Sequence, residues 1–379
     1  MNHRDRVILA IDHKEGDRIP LDLWSSDSRI TNDLYIGLCK KLGLEPLKEK
    51  VRPGTTAEYV DYRISDYFEA DFRHPVFGSP KNYLKHSDAA GNTIDEWGIG
   101  HKYTGITKHQ ISYHPLSSKD DIGDISRHKW PAAADEGRIE KLIPEVISLK
   151  ENTDYYISTA SVTSGLVFEF SWYLRGMDNM LMDLYINKKY AHALIEKVSE
   201  KLLEIHKFCI DPIRDYIDAV EFASDFGTQK QAFMPKKIFD EFYKEPMKMI
   251  FDEIKKDGRL KVILHSCGAI KELIPSFIEA GVDVLSSLQP SANDMDSAQI
   301  KREFGRDIGF RGGVDIQNTM AGSQDVVIAE AKKRIKAFAP GGGYIFGPSN
   351  HFLSHIPVEN IITLYETAKE FGKYPIDEM

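Results

Sequence analysis

From about residue 154 onward the chain repeats one pattern: a short apolar run rich in β-branched residues, closed by small or polar residues, followed by a stretch with helical spacing of its apolar positions. The runs occupy 155–165, 219–227, 260–268, 282–289, 308–315 and 342–350. Such alternation predicts parallel strands joined by helical crossovers, since parallel neighbours need a long return path. The first 60 or so residues predict helix, the short strand 18–24 (R-I-P-L-D-L-W), and then more helix. Residues 71–116 lose the helical period and carry turn chemistry at Asp88, Gly91 and Asn92, predicting a β-hairpin excursion through Trp97 and Tyr103 that covers one end of the fold.

An open doubly wound sheet and a closed barrel both satisfy this alternation. No G-x-G-x-x-G opens a helix, and Gly341, Gly342 and Gly343 precede a strand, so the pattern favours an α/β fold of the (β/α)8 TIM-barrel type with an N-terminal helical segment. A length of 379 residues suits one such domain, 1–379. The composition, 42% hydrophobic and 28% charged, is that of a globular chain with a sizeable core.

A formal charge of -9 without a Lys/Arg block argues against nucleic acid. No apolar run approaches the ~20 residues that span a bilayer, so no membrane role and a cytoplasmic location are expected. Cys39 and Cys209 lie in apolar helical stretches and read as inert core thiols.

In a barrel of this kind the C-terminal strand ends surround one cavity. They carry Thr159 and Ser161, Glu221 and Asp225, His265 and Cys267, Gln289, Asp315, and Asn350 and His351. In Leu264-His265-Ser266-Cys267-Gly268, residues two apart face the same way, which sets imidazole and thiol side by side as two zinc-type ligands. A thiol bound to such an ion is deprotonated at neutral pH. Glu221 and Asp225 end the preceding strand, where an inward carboxylate binds metal, orients His265 or serves as general base. Asp315 follows a pair of glycines that let backbone approach a ligand, or it caps the next helix. Trp24, Gln289 and Asn350 are expected to contact substrate.

The segments H-S-C-G (265–268), G-V-D-V-L-S-S-L-Q-P (281–290), R-G-G-V-D-I-Q (311–317) and A-P-G-G-G-Y-I-F-G-P-S (339–349) before P-V-E-N-I (357–361) resemble the uroporphyrinogen decarboxylase superfamily, as do S-D-F-G-T-Q (224–229) and D-E-W-G (95–98). The chain lacks the R-Q-A-G-R-Y stretch of true uroporphyrinogen decarboxylases. It reads D-L-W-S-S-D-S-R (22–29) there, with one arginine, Arg29, where a substrate of eight carboxylates needs several cations.

The chain is more similar to the corrinoid-dependent, methylcobalamin:coenzyme M type methyltransferases. That resemblance implies Zn2+ on His265 and Cys267, with a further ligand near the last strand. The slot for it falls on Asn350, with His351 one place later, and His351 and Glu221 are the expected additional ligands. It also implies a corrinoid carried on a partner protein, a small methyl donor or acceptor, and a homodimer. Two other readings stand beside methyl transfer: a metal-free decarboxylase using Asp225 or Asp315, and a barrel that binds ligand or docks the corrinoid protein without catalysis.

Overall fold

The apolar runs form one curled parallel sheet in the computed structural model of the protein, which describes every residue except 54, 84, 85, 103–109 and 377–379. Its strands, in chain order and in the same order across the sheet, are β1 (Phe72–Arg73), β2 (Tyr156–Thr159), β3 (Ala219–Ala223), β4 (Lys261–His265), β5 (Val284–Ser286), β6 (Gly309–Val314) and β7 (Tyr344–Pro348). Every neighbouring pair is parallel. Strands β2 to β7 lie inside the six runs read from the sequence. The segment 18–24 is not a full strand, however, and contributes only bridges at Arg18 and Leu21. It runs beside both edges of the sheet: Phe346 N–H donates to Pro20 O at 2.8 Å, Asp22 N–H to Phe346 O at 2.9 Å, and Asp71 N–H to Leu21 O at 2.8 Å.

The alternation of strand side chains sorts the residues into two faces. Val220, Phe222, Val262, Leu264, Leu285, Phe310 and Phe346 join the main apolar core with the surrounding helices. On the other face Phe72, Tyr156, Ala219, Ile263, Val284 and Ile345 form a separate apolar cluster, closed below by Val7 and Ile11 of the helix His3–Ile11. Two residues further along, the inner positions turn polar: His74, Ser158, Glu221, His265 and Ser286, joined by Arg311. An apolar floor thus supports a layer of charge.

The excursion is larger than a hairpin. After β1, which belongs to the parallel sheet, the segments His86–Ser87, Thr93–Ile94, Gly100–Lys102 and Gln110–Tyr113 make a four-stranded antiparallel sheet. Trp97, in the turn between the second and third of these, is buried with its ring 4.1 Å from Phe170 and 6.1 Å from Trp130. Tyr103 lies outside the described residues. Among the described residues no helix is long and apolar enough to cross a membrane.

Candidate functional site

Arg311 is the hub of the charged layer. It is 1% exposed, and its guanidinium donates to Glu221 at 2.6 Å, Asp27 at 2.9 Å and the Ser286 hydroxyl at 2.8 Å, with Asp22 at 3.8 Å. Burial works against every one of these charges, so each persists only because the others neutralise it. Burial alone would raise the Asp27 and Glu221 carboxyls; Arg311, helped by His265 and His74 respectively, holds both well below the usual carboxylate range. His74 sits between Asp22 at 2.7 Å and Glu221 at 3.2 Å. Burial pulls its pKa down, but these carboxylates overcome it and push the imidazole up to about 9.

Above this layer stand His265, the last residue of β4, and the loop that follows it. Donor atoms of Asp225, His265 and Cys267 all lie within 4.8 Å of one another, the one such cluster of metal-binding side chains among the described residues. His265 Nε2 is 3.3 Å from Asp225, and its Nδ1, buried and without a hydrogen bond, faces Asp27 at 3.7 Å. Burial opposes a charge on this ring, yet the flanking Asp225 and Asp27 push its pKa well above the ordinary histidine value. The same closeness, with the Cys267 N–H, holds the Asp225 carboxyl low despite burial. Burial pushes the Cys267 thiol up.

Local hydrogen bonds fix this loop. Cys267 N–H donates to Asp225 at 3.0 Å, Gly268 N–H to the Gln289 side-chain oxygen at 2.9 Å, and Ala269 N–H to Thr228 O at 2.8 Å. Gly268 has φ +89°, and a Cβ there would come within 2.7 Å of Gly227 and Thr228 backbone, so the position requires glycine. Asp225 is fixed from behind by Glu169, which accepts from the Asp225 N–H and the Ser224 hydroxyl, both at 2.7 Å. Burial pushes the Glu169 carboxyl up to about 7.

Several expected site residues make hydrogen bonds within the fold. Glu221, expected as a metal ligand, gives its carboxylate to Arg311, to the Ser158 hydroxyl at 3.0 Å and to the Ser26 N–H at 2.9 Å, because its inward position lies in the charged layer below the loop. Asp315, expected to be catalytic, caps the turn after β6: it accepts from the N–H groups of Gln317 and Asn318 and from the Asn318 amide. Trp24, expected at the substrate, is fully buried and donates its indole N–H to Asp61 O at 3.1 Å. Gln289 braces the loop and accepts from the Gln229 amide at 2.8 Å. Asn350 accepts from the His351 N–H at 2.8 Å. His351 stands outside the metal-type cluster; its Nδ1 accepts the Arg29 N–H at 3.3 Å, and burial lowers its pKa to about 4, leaving it neutral.

Asp22, Asp27, His74 and Arg311 were not legible as site residues. The available signal was a charge inside a buried strand run, Phe310-Arg311-Gly312, which has no place in a core without partners.

Two cavities lie beside the segment that follows β2. One of about 330 Å3 is walled by Ser26, Arg29, Arg52, Phe77, Ser161 and His351 among others, and also touches Ala223, the register partner of His265. The other, about 270 Å3, lies under the antiparallel sheet against Tyr83, Glu96, Trp97 and Arg138, and shares Val162, Thr163 and Ser164 with the first.

Residues 114–371 match the family model described as uroporphyrinogen decarboxylase (URO-D). Among solved structures, a methyltransferase from Methanosarcina mazei superposes with a TM-score of 0.68 at 15% identity, covering 98% of this chain and 99% of that one. A B12-independent methionine synthase from Shewanella sp. W3-18-1 reaches a TM-score of only 0.37 at 13% identity, over 60% of this chain and 64% of that one. The first likeness concerns the fold. No curated protein gives a significant match.

Proposed function

The chain belongs to the uroporphyrinogen decarboxylase (URO-D) family, and we propose that within it this protein is a zinc-dependent methyltransferase, moving a methyl group between a small methylated substrate or thiol and a corrinoid protein. The reading is carried by one observation: nitrogen, sulfur and oxygen donors of His265, Cys267 and Asp225 lie within 4.8 Å of one another. That donor set suits zinc, whose catalytic sites take three protein ligands and keep one position open. The unpartnered, buried Nδ1 of His265 facing Asp27 fits as well, since a ligating imidazole is usually oriented by a carboxylate on its other nitrogen.

His265, Cys267 and Asp225 would hold the ion, which when bound lowers the pKa of a substrate thiol and so supplies a nucleophile near neutral pH. Asp27 orients the His265 ring, Gln289 and Glu169 fix the loop and the carboxylate, and the cavity that touches Ala223 binds the substrate out of bulk water. The same reading takes the chain as one closed (β/α)8 barrel, with Pro20, Leu21 and Asp22 in the eighth strand position between β7 and β1; their backbone bonds to Phe346 and Asp71 support it.

The test is spectrophotometric. Zinc-loaded protein is mixed with methylcobalamin, standing in for the methylated corrinoid protein, and a panel of small thiols. The expected result is loss of the methylcobalamin spectrum with matching thioether formation, abolished by Cys267→Ala. Carbon dioxide release from an acid by metal-depleted protein, with no thioether formed by the loaded one, overturns the reading in favour of decarboxylation.

A further inference from the structure

Lys301, in the last turn of the helix Ser297–Phe304, reaches the glycines that precede β7, at the end of the parallel strands opposite to His265. Its stem is pinned across Gly305, where an added Cβ would come within 2.6 Å of its Cδ and 3.2 Å of its Cε. Its Nζ donates to Gly342 O at 2.5 Å. Among the described residues Lys301 makes no ion pair: Glu15 favours its charge from a distance, but gives Oε1 to the Gly341 N–H at 2.8 Å. Burial therefore pushes the ammonium down from 10.5 to about 8.

Beside it stands His13. A Cβ built on Gly343 would lie 2.8 Å from His13 Nδ1 and 3.2 Å from Lys301 Nζ, so the two nitrogens converge on the space that the missing side chain leaves. Nδ1 is buried and has no hydrogen bond. Burial, and then the charge of Lys301, lowers the pKa of the ring, while the Gly305 backbone, Asp12 and Asp307 act the other way. The imidazole is thus neutral, and with an ammonium facing it Nδ1 presents its lone pair, ready to take a proton. His13 keeps this position at φ +56°, a backbone conformation that costs a residue with a side chain free energy and that concentrates at working sites.

A pinned stem, an ammonium with no counter-charge against it and a proton acceptor beside it are the parts of a nucleophilic amine. We propose that Lys301 is a site of covalent acylation by small acyl phosphates, with His13 as the proton acceptor. The neutral amine attacks the carbonyl carbon, an N–C bond forms, and the C–O bond to phosphate breaks with its electron pair leaving on the phosphate. The proton shed by nitrogen passes to His13 Nδ1 and on to water. The side chain is only part-exposed, which favours a small donor. Acylation turns a cation into a neutral amide at the junction of residues 12–16, the helix Ser297–Phe304 and the start of β7. The proposal is independent of the methyl-transfer reading, whose residues lie at the other end of the strands.

The test is acetylation of the whole protein with acetyl phosphate across a range of pH, followed lysine by lysine by peptide mass spectrometry. Near about pH 7.5 a lysine at about 8 holds on the order of 200 times more free amine than an ordinary one, and its lower basicity gives part of that back. Lys301 is therefore expected to react on the order of tenfold faster than the exposed Lys189 and Lys237, with a rate that levels off above about pH 8 while theirs still climbs. His13→Asn, which tolerates the left-handed backbone, should slow Lys301 severalfold and leave Lys189 and Lys237 unchanged. A Lys301 rate equal to those of the exposed lysines, or one that climbs with them past about pH 9, overturns the proposal, as does a rate unchanged in His13→Asn. Should that variant fail to fold, the wild-type rate ratio and its pH profile decide.

Discussion

Replacing Arg311 with methionine keeps most of the side chain's volume and removes its charge. In the folded protein this strands Asp27, which loses a 2.9 Å bond, and Glu221, which loses one of 2.6 Å, and it leaves the Ser286 hydroxyl without its 2.8 Å donor. Breaking a buried ion pair from one side costs about 3–5 kcal/mol, because the partner stays buried and unneutralised. Here two carboxylates are stranded, while His74 and His265 still face them, so the middle of that range, about 4 kcal/mol, is expected. For 379 residues, an unfolding entropy of ~2.1 cal/mol/K per residue turns this into a fall in Tm of about 5 °C.

The pH dependence provides an independent check. Both carboxyls are held below their usual range, so their contribution to stability is present above their unfolded pKa and disappears as pH falls. Without Arg311 that contribution shrinks, and the wild-type advantage should narrow as pH falls below about 4 toward the depressed folded values. Differential scanning calorimetry of both proteins near neutral pH and near about pH 3 is the assay. A loss below about 1 kcal/mol, or one independent of pH, refutes the reasoning that the layer is a mutually neutralising network.

Two further outcomes follow from neighbouring residues. His74, at about 9 in the folded protein against an ordinary 6.5, stabilises fully below its unfolded pKa and loses that effect as pH rises through its folded one; roughly 3 kcal/mol should be lost between about pH 7 and pH 10. Urea titrations should show the gap between wild type and His74→Gln closing over that window, and a constant gap contradicts the assignment. Gly268→Ala places a Cβ 2.7 Å from backbone at a left-handed φ, which should cost roughly 2–3 kcal/mol and weaken metal binding by displacing Cys267. An unchanged Tm and zinc affinity would show that the loop is not held as described.

Much of the parallel sheet was legible because buried parallel strands read as apolar runs bounded by turn residues, as Val262-Ile263-Leu264 and Phe222-Ala223-Ser224 do. Strand β1 escaped because two residues, Phe72 and Arg73, carry no period. The antiparallel sheet was undercounted for the same reason, its strands being two to four residues long. Cys267 and His265 announced themselves by spacing, and Asp225 by its place at the end of a run. The charged layer was hidden because its members come from residues 22, 27, 74, 221 and 311, and only the curling of the sheet brings them together. Asp315 and Glu221 show what spacing leaves open: a carboxylate near a strand end looks alike in sequence whether it caps a turn, as Asp315 does, pairs with a buried arginine, as Glu221 does, or meets a ligand.

The proposed zinc site rests on His265, Cys267 and Asp225 acting together. It is tested by elemental analysis of the purified protein after equilibration with zinc and removal of excess, beside His265→Ala, Cys267→Ala and Asp225→Ala. One tightly held zinc per chain is expected in the wild type, with loss of it in the His265 and Cys267 variants and weakened retention in the Asp225 variant, all three remaining folded. Zinc content that is unchanged by Cys267→Ala and His265→Ala contradicts it.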